Sequence, residues 1–322
     1  MRILYIPSGF FGIYQFFDEC IIRECTNAGH ICNSFSSYKG LDSLKYETKK
    51  FKPDFVLTMV GFIFPKEMTD WLRNENVKLV VWMTEDPYYM DTTKNLVSRY
   101  DYVFTIESSA LNFYCENGHP SVYLLPLGTD PNVFSPKENT DTKQMNDICF
   151  VGFPYPKRVE MINFLLKKTS YTVQVAGRKW KDNLIQWSDN KQLSVVDWIP
   201  PTEVAHHYNH SRIVLNTHRP YDLAENKNSL GIRNYSINNR TFDIAASGAF
   251  QIISYKPDLR NYFTEAEMVS FQNKEELLCK INYYIKHKEE REKIASRAKA
   301  KVLSQHTFSH RIKEIISTIQ KG

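Results

Sequence analysis

The chain has 322 residues, of which 42% are hydrophobic and 24% are charged, and its formal net charge at pH 7 is +5. This composition excludes an intrinsically disordered chain, and the length suits two α/β domains of ordinary size. The charge is mild and includes no long run of Lys or Arg, so it fits a small anionic ligand at least as well as a nucleic acid.

Cysteine usage and the first residues of the chain bear on its compartment. The six cysteines form neither a C-x-x-C pair nor a cluster with histidine at zinc-binding spacing, which predicts reduced, mostly buried thiols. A strand-length apolar run begins at Ile3 without the pattern of a secretory leader, and no run of 18 apolar residues follows. These features predict a cytoplasmic protein.

Strands and helices alternate along the N-terminal half. A strand at 3–6, a glycine-bearing turn at 7–12 and a helix at 14–28 predict a βα unit. The turn lacks the G-x-G-x-x-G pattern of dinucleotide sites, and Gly9 is equally well explained by a tight turn or by close approach of the backbone to a ligand. The alternation continues, with further strands expected at 55–59, 79–83, 102–105 and 122–125.

A polar stretch divides the chain. Residues 136–147 have no apolar period and predict an interdomain linker, after which the strand pattern restarts at 148. We therefore expect an α/β fold with an N-terminal domain at 1–135 and a C-terminal domain at 148–305. A C-terminal helix at 306–322 is expected to pack back toward the N-terminal domain.

One later stretch has the residue pattern of a helix that binds a ligand. Residues 236–250 read S-I-N-N-R-T-F-D-I-A-A-S-G-A-F, follow a polar loop at 216–235, and predict a helix that stops near Gly248. An arginine beside the first helical turn favours an anion, and a carboxylate one turn later can accept hydrogen bonds from a sugar. Together they suggest a nucleotide. The alternative is a capped amphipathic helix that packs on a sheet and leaves Arg240 solvated.

The order of motifs in the C-terminal half resembles the donor-binding domain of GT-B glycosyltransferases. V-V-D-W-I-P-P-T-E-V-A-H-H-Y-N-H-S-R-I-V-L-N-T-H precedes a variable loop and N-N-R-T-F-D-I-A-A-S-G-A-F. The latter resembles the R-x-F-[ED] helix of the CgeB/YkvP group of spore-maturation glycosyltransferase-like proteins. W-M-T-E-D-P and L-P-L-G-T-D-P-N-V-F resemble the N-terminal domain of that group. The resemblance implies the GT-B fold, in which a Rossmann-like acceptor domain and a Rossmann-like donor domain, both doubly wound, face a central cleft.

The resemblance also implies a set of donor-binding residues. Asp243 takes the place of the second acid of the family's E-x7-E motif, which binds the ribose, whereas Tyr235 stands where the first acid would fall. Arg240 and the amides around Thr241 are expected to face the diphosphate. The implied nucleotide-binding set is Gly9, Gly152, Arg158, Arg178, Trp198, Ile199, Asn238, Asn239, Arg240, Thr241 and Asp243.

Two residues are candidates for catalysis. Asp86 follows a strand, where an inverting transferase needs a general base, although a turn residue before Pro87 is an equally good interpretation. His218 is a candidate to hydrogen-bond the diphosphate or the transferred sugar, with a structural histidine as the alternative. No Asp-x-Asp occurs in the chain, which favours a metal-independent reaction without a cofactor. The histidines at 206, 207 and 210 are expected on an exposed helix, not at a metal.

Together these features predict one leading function and two alternatives. The resemblance implies a hexosyl- or N-acetylhexosaminyl-transferase that moves a sugar from a nucleoside diphosphate, expected to be UDP, to a protein or glycan, with no nucleic acid partner. The expected setting is spore surface glycosylation. Because Tyr235 replaces the family's first acid, a sugar-nucleotide epimerase or phosphorylase stays open, as does a degenerate GT-B protein with a structural or partner-binding role.

Overall fold

The computed structural model describes residues 1–136 and 146–321. The chain divides into two compact units, each made of more than one stretch of sequence. Unit 1 contains Met1–Gly128, Tyr221–Ser236 and Phe308–Gly322, and unit 2 contains Thr129–Pro220 and Ile237–Thr307.

Unit 1 is built on a parallel sheet of six strands in the order β2-β1-β3-β4-β5-β6. The strands are β1 (Arg2–Ile6), β2 (Ile31–Ser34), β3 (Phe55–Met59), β4 (Lys78–Met83), β5 (Tyr102–Thr105) and β6 (Val122–Leu124). The helices are α1 (Ile13–Asn27), α2 (Leu41–Phe51), α3 (Lys66–Asn74), α4 (Met90–Leu96) and α5 (Ser108–Glu116), with short 3-10 turns at Ser37–Lys39 and Val97–Arg99. The strand order reverses between β1 and β3, which makes that pair the switch point of this sheet.

Both faces of this sheet are covered, so the residues on both faces of its central strands are buried instead of alternating with exposed ones. All five residues of β3 are buried. Leu57 and its neighbours on one face join a cluster with Trp82 and Phe104, whereas Val56 on the other face joins Leu79 and Val81. Alternate side chains of each strand therefore contribute to two separate cores.

Unit 2 has its own parallel sheet, in the order β12-β11-β10-β7-β8-β9. Its strands are β7 (Asn146–Val151), β8 (Val173–Ala176), β9 (Leu193–Val196), β10 (Ser211–Asn216), β11 (Gln251–Ser254) and β12 (Val269–Phe271). Its helices are α6 (Pro156–Lys168), α7 (Trp180–Asn183), α8 (Pro201–Asn209), α9 (Arg240–Ala246), α10 (Leu259–Tyr262), α11 (Lys274–Lys286) and α12 (Lys288–Gln305), with a 3-10 turn at Ile185–Trp187. Here the order reverses between β7 and β10. The expected α/β fold with two doubly wound sheets is confirmed.

The last helix, α13 (Phe308–Lys321), lies in unit 1. Its apolar residues recur at helical spacing, and Phe308 packs against Phe17 of α1 with ring centroids 5.9 Å apart. Arg311 of the same helix is buried and donates from Nε to the carbonyl of Pro126 over 2.7 Å. The end of the chain is thereby fixed to the first sheet by both packing and a charge-assisted hydrogen bond.

The boundaries differ from those expected from the sequence. Unit 2 begins at Thr129 instead of after 135, because Thr129 forms a parallel bridge with Thr307 of the same unit. Most of the expected linker at 136–147 lies outside the described residues, and β7 already begins at Asn146.

The loop expected at 216–235 also differs from expectation in the unit to which most of it belongs. Its residues Tyr221–Ser236, here called the returning segment, belong to unit 1 and not to the C-terminal domain. The carboxylate of Glu107, which caps the first turn of α5, accepts from the backbone N–H groups of Tyr235 at 2.8 Å and Ser236 at 3.2 Å. Asp91 accepts from the N–H of Ser229 at 3.0 Å. These partners lie more than 100 residues apart in sequence, so no local sequence pattern predicts the contacts.

Burial of Glu107 raises its pKa from an ordinary value of 4.5 to about 7, partly opposed by the N–H donors of Tyr235 and Ser109. Because this pKa is higher in the folded than in the unfolded protein, the folded state binds the proton more tightly. Its contribution to stability is therefore fully present below pH 4.5 and is lost as the pH rises to about 7.

We predict that Glu107→Gln, which cannot titrate, removes this part of the pH dependence. Between pH 4.5 and 7 the wild-type chain should lose up to about 3 kcal/mol that the variant does not lose, a change of several degrees in melting temperature. Thermal unfolding at pH 4.5 and 7.5 measures the difference, and Glu75→Gln, at an exposed glutamate, is the control. Identical pH profiles for wild type and Glu107→Gln would contradict the assignment.

Candidate functional site

The candidate site lies in unit 2 at the carboxyl ends of β7 and β10. Gly152 directly follows β7, and Thr217 directly follows β10. These two strands form the switch point of the sheet, which is where open α/β sheets bind their ligands. The first turn of α9 carries Arg240 to the same place, because its side chain reaches the backbone after β7 and after β10.

Two buried or half-buried guanidinium groups meet at this point. Arg240 donates from Nη2 to the carbonyl of Thr217 at 2.8 Å and from Nη1 to the carbonyl of Val151. Arg158, in the first turn of α6, donates from Nη2 to the same Thr217 carbonyl at 2.8 Å and from Nε to the Thr217 hydroxyl at 3.0 Å. Neutral carbonyl groups thus help to fix the direction of both guanidinium groups.

The space around Gly152 leaves no room for a side chain. A Cβ at this position would lie 2.1 Å from Nη1 of Arg240 and 3.3 Å from Nη1 of Arg158, and φ is +148°. Gly177 after β8 is similarly required, since its Cβ would lie 2.5 Å from the carbonyl oxygen of Gly152. Gly152, which the sequence predicts as a nucleotide-binding residue, therefore lets the guanidinium groups of Arg240 and Arg158 approach the backbone.

His218 follows Thr217 and is 9% exposed. Its Nδ1 lies 2.9 Å from the hydroxyl of Ser254, whereas its Nε2 is buried and has no hydrogen-bond partner among the described residues. Burial, with the charges of Lys256, Arg240 and Arg158, holds the pKa of His218 well below its ordinary value. The ring is therefore neutral near pH 7. A buried polar atom without a partner is uncommon in folded proteins and calls for a ligand or a water.

The structure places Asp243 away from any open surface. Its carboxyl accepts from Nδ2 of Asn239 at 3.1 Å, and the Thr129 hydroxyl lies beside it. Burial raises the pKa of Asp243 to about 8, against the lowering effects of Thr129 and Arg240. In this arrangement Asp243 holds the inner side of α9, and a ribose would have to displace Asn239 to reach it.

The amide of Thr241 does not face the site, contrary to expectation. It is bonded to the carbonyl of Asn238 at 3.1 Å and to the Asn238 side chain at 3.2 Å, and its hydroxyl accepts from Asn216 at 3.0 Å. Asn238 in turn donates to Asn216 at 3.0 Å. These residues close the first turn of α9 with internal hydrogen bonds, as side chains at helix starts commonly do.

Arg178 and Trp198 lie on the neighbouring part of the same edge, after β8 and β9. The guanidinium carbon of Arg178 is 6.0 Å from the centroid of the Trp198 ring, and Trp198 is 46% exposed. Ile199 is half-buried beside it. An exposed indole under a cation offers a flat surface for stacking.

Asp86 in unit 1 is buried in the core instead of lining a site. It is 1% exposed and accepts hydrogen bonds from the hydroxyl of Thr105 at 2.8 Å and that of Tyr114 at 2.9 Å. Burial raises its pKa, with the hydroxyl donors acting in the opposite direction. A carboxyl enclosed in this way cannot meet an acceptor substrate, so the structure favours the turn residue before Pro87 over the general base.

Gly9 in unit 1 is explained by packing. Its φ is +74°, and a Cβ would lie 1.9 Å from Cδ1 of Ile63. This geometry fits the tight turn, which is one of the two interpretations left open by the sequence.

Sequence reasoning missed Thr217 and Ser254, which orient the cations and the histidine. Both stand at the carboxyl ends of strands, Thr217 just after β10 and Ser254 as the last residue of β11. Position relative to the strand was the available signal, but small polar residues are common at such ends.

Across 1–136 and 146–321, no three or more His, Cys, Asp or Glu residues are grouped so as to hold a metal ion. His207 instead pairs with the side chain of Gln174 over 2.8 Å. In the same described ranges, no helix combines the length and apolar character needed to cross a membrane.

Comparisons with known proteins agree with this architecture. A family model described as glycosyl transferase-like matches residues 157–317. The spore protein CgeB of Bacillus subtilis (strain 168) is 35% identical over 310 residues, which are 96% of this chain and 95% of CgeB.

Two solved structures share the fold at low identity. Sucrose-phosphate synthase from Thermosynechococcus elongatus superposes with a TM-score of 0.70 at 11% identity, over 99% of this chain and 98% of its own. HepE of Anabaena, solved in complex with UDP and glucose, gives a TM-score of 0.70 at 11% identity over 100% of both chains. The expected GT-B fold class is confirmed.

Gly152→Ala is predicted to destabilise unit 2, because the added Cβ would collide with the Arg240 guanidinium. The loss should be about 2 kcal/mol or more, visible as a lower melting temperature. Gly118→Ala is the matched control, since Gly118 also has a positive φ but an added Cβ would meet nothing within 4 Å. Equal losses in the two variants would show that backbone strain, not close approach, explains Gly152.

Proposed function

We propose that this chain, which belongs to the glycosyl transferase-like family and is an enzyme of glycosyltransferase type, transfers a sugar from UDP to a protein or glycan acceptor. The observation that carries the proposal is the meeting of Arg158 and Arg240 beside the unpartnered Nε2 of His218. All three stand at the switch point of the unit 2 sheet, where a diphosphate fits.

The chemistry of transfer explains the choice of cations. When the bond between the anomeric carbon and the diphosphate oxygen breaks, negative charge grows on the departing phosphate. Guanidinium groups already fixed by the Thr217 carbonyl stabilise this charge without reorganising. We propose that they do so in place of a metal ion, which makes the reaction metal-independent.

His218 is proposed to bind a phosphate oxygen or the transferred sugar. In the tautomer in which Ser254 donates to Nδ1, the proton resides on Nε2, which can then donate to the ligand. Because the pKa of His218 lies well below its ordinary value, the imidazole is neutral and its proposed role is a hydrogen bond and not an ion pair.

The nucleotide is proposed from two observations of different kinds. HepE shares the fold and was solved with UDP and glucose. In this chain, Arg178 and Trp198 supply a stacking surface for a base on the same edge of the sheet as the cations. Asp243 is proposed to act through Asn239, which it holds, instead of through a direct ribose contact.

The biological setting is proposed from the relative alone. CgeB is described as a spore protein, which supports a role in spore surface glycosylation carried out in the mother-cell cytoplasm.

Arg240→Ala is predicted to weaken UDP binding by about tenfold or more, since it removes a charge-assisted contact to the diphosphate. Thermal stabilisation by UDP, measured over a concentration series, reports the affinity. Arg212→Ala is the control, because Arg212 in the same unit pairs with Asp147 over 3.1 Å at the surface. Unchanged stabilisation by UDP in Arg240→Ala would remove the basis of the proposal.

His218→Phe is predicted to weaken UDP binding by about tenfold while lowering the melting temperature of the ligand-free protein by only a few degrees. Phenylalanine keeps an aromatic ring at this position but removes both imidazole nitrogens, the Nε2 that lacks a protein partner and the Nδ1 that lies beside the Ser254 hydroxyl. Calorimetric titration with UDP and thermal unfolding without it separate the two effects. A large drop in the ligand-free melting temperature together with wild-type affinity would identify a structural histidine.

A further inference from the structure

The turn that follows α1 brings two cysteines together at the edge of the unit 1 sheet. Cys25 stands in the last turn of α1, and Cys32 is the second residue of β2. Between them, the N–H of His30 donates to the Cys25 carbonyl at 3.2 Å. The N–H of Gly29 donates to the carbonyl of Thr26 at 2.9 Å, and φ of Gly29 is +82°. This geometry is a Schellman motif, which ends the helix and leads the chain directly into β2.

The pairing of β2 with β1 places the Cys32 side chain on the face of the sheet that α1 covers. Cys32 lies opposite Ile3 in the parallel register. Ile3 and Cys25 both belong to the buried cluster against which Cys32 packs. Cys25 is 1% exposed, whereas Cys32 is half-buried. The two thiols share a hydrogen bond, and both cysteines are free. One sulfur of the pair is therefore reachable from solvent and the other is enclosed.

The hydrogen bond between the thiols makes Cys32 the more reactive member of the pair. This bond lowers the pKa of the Cys32 thiol, whereas burial acts in the opposite direction. The same hydrogen bond, together with burial, raises the pKa of Cys25. Because a thiolate and not a thiol attacks a disulfide, Cys32 is the group that attacks first. Cys25 then lies beside it to complete the exchange.

We propose that Cys25 and Cys32 form a modification site, which a small-molecule disulfide converts into a disulfide within the chain. The Cys32 thiolate bonds to one sulfur of the small disulfide, whose own S–S bond breaks and releases a first small thiolate. The Cys25 thiolate then bonds to the Cys32 sulfur and displaces the second small thiolate. The protons lost by the two cysteines end on the two released thiols. Two protein thiols are oxidised and one small disulfide is reduced, so the electrons balance.

The bond would join α1 to an edge strand. β2 is the first strand of its sheet and pairs with β1 alone. A disulfide across the turn at 26–31 would restrict the unfolded chain and add a covalent link where the sheet has a neighbour on one side only. The other four cysteines offer no such pair by exposure, since Cys20 and Cys149 are buried and Cys115 and Cys279 are exposed.

The experiment uses the full chain with Cys115→Ser and Cys279→Ser, which remove the two exposed thiols. The folded protein is incubated at mildly alkaline pH with hydroxyethyl disulfide, a small neutral disulfide, and its intact mass is measured. The protein should lose the mass of one hydrogen molecule and keep no adduct. The tryptic peptide 24–39 contains both cysteines, and its fragmentation should place an internal disulfide between them.

Single variants in the same background separate the two steps. Cys25→Ser should stop at the mixed disulfide and carry the adduct on Cys32, because the second attacking thiol is missing. Cys32→Ser should react at least about tenfold more slowly than Cys25→Ser, because only the enclosed thiol of the pair remains. Cys149→Ala is the matched control, since it removes a buried thiol outside the pair; it should form the internal disulfide as fast as its parent does.

The melting temperature shows whether the folded turn accommodates the bond. The oxidised protein should melt at the same temperature as the reduced protein or higher, and dithiothreitol should restore the original mass.

Several outcomes would overturn the inference. They are no reaction of the folded parent protein, a lasting adduct on Cys32 while Cys25 is present, or an internal disulfide that involves another cysteine. A melting temperature that falls by more than a few degrees on oxidation would do the same, because the bond would then require the turn to distort.

Discussion

Unit 2 depends on the close approach of the Arg240 guanidinium to the backbone at Gly152. Only a residue without Cβ allows it, since a Cβ would lie 2.1 Å from Nη1. The approach joins α9 to the ends of β7 and β10 through carbonyl acceptors on Val151 and Thr217. Carbonyl oxygens orient a guanidinium without carrying a formal charge of their own. The same constraint that fixes the packing of α9 therefore also creates the electrostatic character of the site.

Burial decides what each carboxyl group in this protein does. Asp86 and Asp243 are enclosed by hydroxyl and amide donors, and burial raises the pKa of both. Glu107 accepts hydrogen bonds from the backbone N–H groups of the returning segment. Glu85 is half-buried and accepts from the hydroxyl of Tyr14. Motifs that name an acidic residue cannot distinguish these fates, because solvent access is a property of the folded chain.

The returning segment shows that sequence order and domain membership are separate properties. It lies between β10 and α9 in the chain, yet its hydrogen-bond partners are Asp91 and Glu107 of unit 1. It contains Tyr235, which the resemblance in sequence places where the family's motif has its first acid. In this chain the backbone N–H of residue 235 donates to Glu107. Holding the segment in unit 1 therefore does not depend on an acidic side chain at that position.

The sequence was sufficient to predict the alternation of strands and helices, the two doubly wound sheets, and the basic residues after β7 and at the start of α9. Apolar runs, glycines and local motifs carry that information because it concerns neighbours in the chain. The tertiary structure alone decided that Asp86 is enclosed, that the Thr241 amide is bonded to Asn238, and that Thr217 receives both arginines. These outcomes depend on groups brought together from distant segments, and solvent exposure and hydrogen-bond partners have no local signature in sequence.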